Sequence, residues 1–191
     1  MNSMDETGSI SKDVRYAGFA KRLKAFAFDY LLICGYIILL AAVTMAVVKV
    51  SGRLGVSLHW PENPVLADLM AFITLILPIC LYFTLEESSA KQSTWGKRKT
   101  RIRVVNANGG RLRRGQAFVR SLVKVLPWQI AHTCLFHIPG WPMAVRTVPS
   151  AVTIGFVLVY VLAGIFIATV FISKKHRTPY DWAAGSTVIV D

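Results

Sequence analysis

The sequence predicts an all-α integral membrane protein: a small helical bundle with four membrane segments and a short cytoplasmic β-hairpin. Three of the segments are secure, and the fourth either crosses the bilayer or is re-entrant or interfacial. Three observations lead there. The 191 residues are 54% apolar with a mean hydropathy of +0.49, yet carry a formal net charge of +12. Charge and apolarity are segregated along the chain, as in a polytopic membrane protein facing an acidic surface. The positive charge is also concentrated in one loop between apolar runs.

The first fifteen residues are polar and include Asp5, Glu6 and Asp13, so they read as a flexible N-terminus ahead of a single membrane domain over residues 16–191. No small-residue cleavage site ends the first apolar run, which therefore reads as a retained span rather than a signal peptide. That segment, about residues 26–48, contains nineteen uncharged residues from Tyr30 to Val48. As a helix they cover about 28 Å, close to a hydrocarbon thickness of about 30 Å. The second, about 65–85, carries Pro78, which predicts a kink, and Asp68, which reads as a snorkelling or capping acid near the outer end. The segment 125–145 has no formal charge but holds Gln129, His132, His137 and three prolines. Burying two neutral histidines in hydrocarbon is costly without partners, so crossing and interfacial placements both stay open. The last segment, 151–172, is the most apolar; its Gly155 and Gly164 would permit close helix contact.

Between Glu86 and Lys124 eleven Lys and Arg face two Glu, a balance of +9. The positive-inside rule puts this loop in the cytoplasm together with the N-terminus. The run Lys174, Lys175, Arg177 places the C-terminus there too. Two ends on one side require an even number of crossings, which favours four.

Within the loop, Thr100–Val105 alternates and is followed by Asn108-Gly109, a hairpin turn signal, so residues 100–112 read as a hairpin at the membrane surface. The stretch RGQAFVRSLVKVL then reads as an amphipathic helix with Arg120 and Lys124 on one face. Lys97, Arg98, Lys99, Arg101, Arg103, Arg111, Arg113 and Arg114 either fix topology or face anionic lipid or a partner. Nucleic acid is excluded as a partner, because no aromatic-interleaved platform or groove-reading helix accompanies the charge.

Two acids break the segregation. Asp29 lies at the entry of the first span, and Asp181 follows the last one. With the termini inside, both sit near the cytoplasmic leaflet among Arg22, Arg120, Lys124 and Arg177, as an ionic cluster that either locks the helices together or exchanges a proton or cation. Pro179 argues against one helix through Arg177 and Asp181. The tail DWAAGSTVIV is apolar enough to pack back on the bundle. Cys34, Cys80 and Cys134 read as isolated small hydrophobes. His132 and His137 are five apart, a poor fit to one helix face, so no metal is expected. No HExxH, GxSxG or Walker-type loop is present, so neither an enzyme nor a cofactor is expected.

AGFAKRLKAFAFD, STWGKRKTRIRVVNANGG and RTPYDWAAGSTV, in that order around the apolar segments, resemble the RDD family of membrane proteins. The resemblance runs from about Tyr16 to Val190. It places Arg22, Asp29 and Asp181 on the family's signature Arg and two Asp. Ser186 stands where the family usually has threonine, and Lys99-Thr100-Arg101 replaces an apolar-plus-glycine stretch. The segment PWQIAH looks like a sub-group feature, which would make Trp128 and His132 polar core residues. What the resemblance implies is a multi-pass protein of the bacterial inner membrane with a transport-related role, cation or proton exchange through the two acids. The alternative is a non-transporting scaffold or regulator that binds anionic lipid, another membrane protein or further copies of itself.

Overall fold

The computed structural model describes residues 14–57, 61–141, 144–145 and 147–191. Helix α1 (Phe19–Arg53) has 35 residues, about 52 Å, and so overruns a hydrocarbon core at its ends. The second span is built from α2 (Pro64–Ala71), a π-helical segment (Phe72–Ile76) and α3 (Leu77–Glu87). After it come the short α4 (Trp95–Lys99), strand β1 (Ile102–Asn106), α5 (Arg114–Phe136) and α6 (Ser150–Ile172). Helix α7 (Pro179–Ala183) and strand β2 (Ser186–Val190) close the chain.

Local chemistry explains several boundaries. Asn63 caps α2, its side chain accepting from Val65 N at 2.9 Å and Leu66 N at 3.2 Å, and Pro64 sits in the first turn, where its missing N–H costs nothing. The π-helical segment lies just ahead of Pro78. In an α-helix the Thr74 carbonyl would take the N–H that proline lacks; here the Tyr36 hydroxyl donates to it from α1. The kink expected at Pro78 is thus a change of helical repeat bridged to α1 by a side chain.

Among the described residues three helices are long and apolar enough to cross a membrane: α1, the composite Pro64–Glu87 helix and α6. Their outward faces carry large apolar side chains, with Ile38 and Ile154 both 69% exposed. That exposure fits lipid, not water. Helix α5 joins the amphipathic stretch to the first part of segment 125–145 in one continuous element, despite Pro127. It runs antiparallel to the composite helix: Arg120 and Lys124 reach Glu87 at one end, and Gln129 and Thr133 reach Asp68 further along. It is antiparallel to α6 as well, with the Cys134 thiol packed where a side chain on Gly155 would lie. Gly164 has open space around it. Residues 137–141, also within segment 125–145, lie beyond the helix, and the chain turns at Gly140, with φ +81°.

The expected hairpin over 100–112 is not formed. The Asn-Gly turn exists, with Asn106 Oδ1 accepting from Asn108 N and Gly110 N at 2.9 Å, but no second strand follows. Strand β1 instead pairs antiparallel with the C-terminal β2, Val104 opposite Val188. Tyr16 bridges to Ile189 on the far side of β2, so the tail is held between β1 and the N-terminal segment. Ala17, Ala25, Ile102, Val104, Leu112, Ala117 and Val188 form a small core beneath this sheet. A two-stranded element is marginal alone, and this core supplies the missing apolar face.

Val188→Asp is expected to release the tail. Amide exchange in 102–106 and 186–190 should accelerate together in the purified protein, while 77–87 stays protected. An independent hairpin would leave 102–106 unchanged.

Candidate functional site

At the end of the bundle where α1 begins and α3 and α6 finish, charged side chains from five elements converge. The pivot is Arg120 of α5, 1% exposed. Its Nε and Nη2 donate to Asp181 Oδ1 at 3.1 and 2.7 Å, Nε also reaches Ser186 Oγ at 3.1 Å, and Nη1 pairs with Glu87. The guanidinium lies over the Tyr180 ring at 5.0 Å. Asp181 Oδ2 takes Arg22 Nη1 at 2.7 Å. Thr178 adds its N–H at 3.0 Å and its hydroxyl at 2.9 Å, closing a capping box around Pro179 at the start of α7. Asp181 is therefore both a cap and an ion-pair partner. Burial alone would raise its carboxyl, but Arg120 and then Arg22, with the Thr178 N–H, hold it well below the usual carboxylate range.

Glu87, fully buried at the end of α3, is the second centre. Its Oε1 pairs with Lys97 and accepts from Lys124 Nζ at 2.7 Å, while Oε2 takes Arg120. Arg120 and Lys124, one turn apart, present both charges to it from a single face. Lys124 Nζ also lies 3.9 Å from the Phe83 ring centroid.

Asp29 belongs to a separate arrangement of neutral donors. Its Oδ1 accepts Tyr82 Oη at 3.0 Å and Gly96 N at 2.8 Å, and its Oδ2 accepts Thr94 Oγ1 at 2.6 Å. Tyr82 Oη in turn accepts Trp95 N at 3.1 Å, and Thr94 caps α4. The Thr-Trp-Gly-Lys turn is thereby pinned to α1. Gly96 lies so close that a Cβ there would meet the Ala25 carbonyl and come within 2.9 Å of Asp29 Cγ.

The structure thus divides the expected cluster. Arg22, Arg120 and Lys124 are in it with Asp181. Arg22 does not reach Asp29, which makes no ion pair among the described residues. Arg177 donates to the Asp181 backbone carbonyl at 3.3 Å, not to a carboxylate. Glu87 and Lys97 were not expected. Lys97, grouped above with the outward-facing bases, is 9% exposed and turned inward by Glu87.

The other basic residues are largely engaged with the protein: Arg98 with Glu86, Arg103 with Asp191 at 2.7 Å, and Arg111 with the Ser88 carbonyl. Lys99 is stacked over Trp95 at 5.8 Å, while Arg101, Arg113 and Arg114 are exposed. Trp128 and His132 do not form a polar core. Trp128 is 36% exposed and packs against Tyr30, and His132 Nδ1 bonds its own helix at Trp128 O. The polar pair in this part of α5 is the half-buried Gln129 and Thr133, both bonded to Asp68, at 3.0 and 2.7 Å. Among the described residues no group of His, Cys, Asp or Glu is placed to hold a metal.

Four cations, Arg22, Lys97, Arg120 and Lys124, accompany three carboxylates, Asp29, Glu87 and Asp181. A cavity of about 350 Å³ opens beside them between α1, α5 and α6. Lys97 is the cation that yields. Burial lowers its ammonium, Glu87 pulls it back, and Lys124 and Arg120 push it down again, to about 7.

The model of the RDD family matches residues 16–185, whereas no curated protein and no solved structure matches the chain.

Two predictions follow from this geometry. Gly96→Ala should lower the unfolding midpoint in detergent markedly, whereas Gly115→Ala, with open space around its Cβ position, should leave it unchanged or raise it. Lys97 binds a proton more readily unfolded, near 10.5, than folded, near 7. Its contribution to stability should therefore rise with pH between those values, and Lys97→Met should flatten that part of the stability–pH curve.

Proposed function

The chain belongs to the RDD family of membrane proteins, and from that premise we propose that it is a non-transporting, non-enzymatic scaffold or regulator of the membrane. In this reading the buried ionic network is a lock that holds one end of a four-helix bundle in a single arrangement. The basic end faces the cytoplasm by the positive-inside rule, both termini with it, and α5 makes the fourth crossing. In a bacterium that membrane is the inner one.

The observation that carries the reading is the state of Asp181. It is completely buried and bound by two arginines and a cap, so neither a proton near neutral pH nor a second cation has a vacant site there. The excess of cations over carboxylates also repels a passing metal ion. The exposed Arg113 and Arg114 at the start of α5 remain available to an acidic surface, whether on another membrane protein or a second copy.

Asp29 favours a second reading, proton or cation exchange. It has only neutral donors and lines the cavity. Proteoliposomes separate the two. Under our reading, correctly inserted wild-type protein carries no proton, Na⁺ or K⁺ flux above that of empty vesicles. A discrete cross-linked adduct in native membranes should also be lost in Arg113→Glu/Arg114→Glu. Gradient-driven flux that vanishes in Asp29→Asn, at equal amounts of folded protein, would establish exchange instead.

A further inference from the structure

The cavity beside the ionic network has a composition that neither reading above uses. On α1 it is lined by Leu23 and Phe26, and on α6 by Phe166 and Ile167; its charged side carries Arg22, Lys97, Arg120 and Lys124, with Asp29 as the one carboxylate. Leu23, Phe26 and Ile167 are themselves 51, 41 and 50% exposed, so the apolar walls continue into the outer surface of the bundle. A crevice of this kind opens sideways into lipid.

Depth agrees with this. The uncharged stretch of α1 begins at Tyr30, and the cavity's α1 residues all precede it. Helix α1 overruns the hydrocarbon core, so these first turns lie at headgroup level, together with the exposed Lys24 and Lys174. Trp128 lines the cavity and stacks with Tyr30 at 5.8 Å, an aromatic pair of the type that sits at a membrane interface.

Two independent observations specify the sign of the occupant. The cavity's lining sets four cations, Arg22, Lys97, Arg120 and Lys124, against one carboxylate, Asp29. Arg22, on the cavity, also keeps a buried donor, Nη2, with no acceptor among the described residues, although its Nε and Nη1 are bonded. An uncompensated charge and an orphaned donor in a low-dielectric site both call for an anion. Apolar walls beside them call for a hydrocarbon chain on the same molecule.

We propose that this crevice binds one anionic phospholipid of the surrounding bilayer, its phosphate facing Arg22 and Lys124 and an acyl chain lying between α1 and α6. The phosphodiester supplies negative charge to a lining in which cations outnumber the carboxylate. Protein ligands fit less well, since a side-chain carboxylate arriving through lipid would have to be desolvated on the way. The inference stands under either reading of function, because it depends on the cavity's composition alone.

The test is native mass spectrometry of protein extracted from nanodiscs containing equal phosphatidylglycerol and phosphatidylcholine. Wild-type protein should retain one phosphatidylglycerol, about tenfold in preference to the zwitterionic lipid. Ala163→Trp, which fills the cavity from α6 without touching the ion pairs, should abolish that retention. Ile167→Trp, directed from the lipid side, serves the same purpose if the first variant does not insert. Arg113→Glu, on the exposed surface, should leave retention unchanged. Equal retention of both lipids, or phosphatidylglycerol persisting in a folded cavity-filled variant, would overturn the proposal. So would loss of it in Arg113→Glu alone, which would move the lipid to the outer basic surface. A second copy of the chain in place of the lipid peak would identify the crevice as a dimer contact and overturn it as well.

Discussion

Arg120 is the constraint on which the arrangement of the helices depends. A guanidinium cannot lose its proton at any accessible pH, so burying one obliges the fold to deliver acceptors to it. Here they come from α3, α7 and β2, from residues up to 66 positions away from Arg120 in the chain. Each acceptor has further obligations. Glu87 must also satisfy two lysines, and Asp181 must also cap α7 and take Arg22. Moving any one element strands a charge away from water. Buried pairs recover little net energy over an apolar core, while leaving one partner alone costs about 3–5 kcal/mol. The network therefore does less to raise stability than to single out one packing of the bundle end among alternatives.

Asp29 works by a different principle. With no cation on it, its acceptors are met by a tyrosine hydroxyl, a threonine hydroxyl and a backbone N–H. Two of those donors belong to one four-residue turn, so the carboxylate serves as a receptor for that turn. The contact at Gly96 is possible only because no side chain intervenes between the α4 backbone and α1. The turn in turn positions Lys97 one residue later, which joins the Asp29 arrangement to the Glu87 centre. The two signature acids are thus linked through Gly96, Lys97, Glu87 and Arg120 in turn, not through a direct ion pair.

Much of the frame was legible because hydropathy acts locally. Spans of nineteen or more uncharged residues report their own burial in lipid, and the +9 loop stands out without any tertiary knowledge. What was not legible depends on pairing at a distance. Asn108-Gly109 signals a turn faithfully, yet the strand before it finds a better partner in the apolar tail, more than 80 positions away. Nothing in Glu86-Glu87 says which carboxylate faces inward. Helical spacing places them about 100° apart, and only the position of α5 decides. Lys97 was hidden for the same reason, since a lysine in a basic run looks like its neighbours until a buried acid is placed opposite. The charge pattern singled out Asp29 and Asp181 with Arg22 among the bases near them, the resemblance put the three on signature positions, and the geometry separated them into two centres.

The charge count joins these centres to the cavity. Four cations beside three carboxylates leave one positive charge to be neutralised, and the site has two ways of doing so. Lys97 can release its proton near pH 7, because burial and then Lys124 and Arg120 favour the neutral amine against the pull of Glu87. Alternatively, an anionic headgroup can enter beside Arg22 and Lys124. Each removes the reason for the other, so they are thermodynamically linked: lipid in the crevice holds the Lys97 proton, and a neutral Lys97 weakens the hold on the lipid. Arg22 and Arg120 meanwhile hold Asp181 in place. The arginines and aspartate fix the geometry, and Lys97 is a member of the network whose charge can respond to what occupies the membrane beside it.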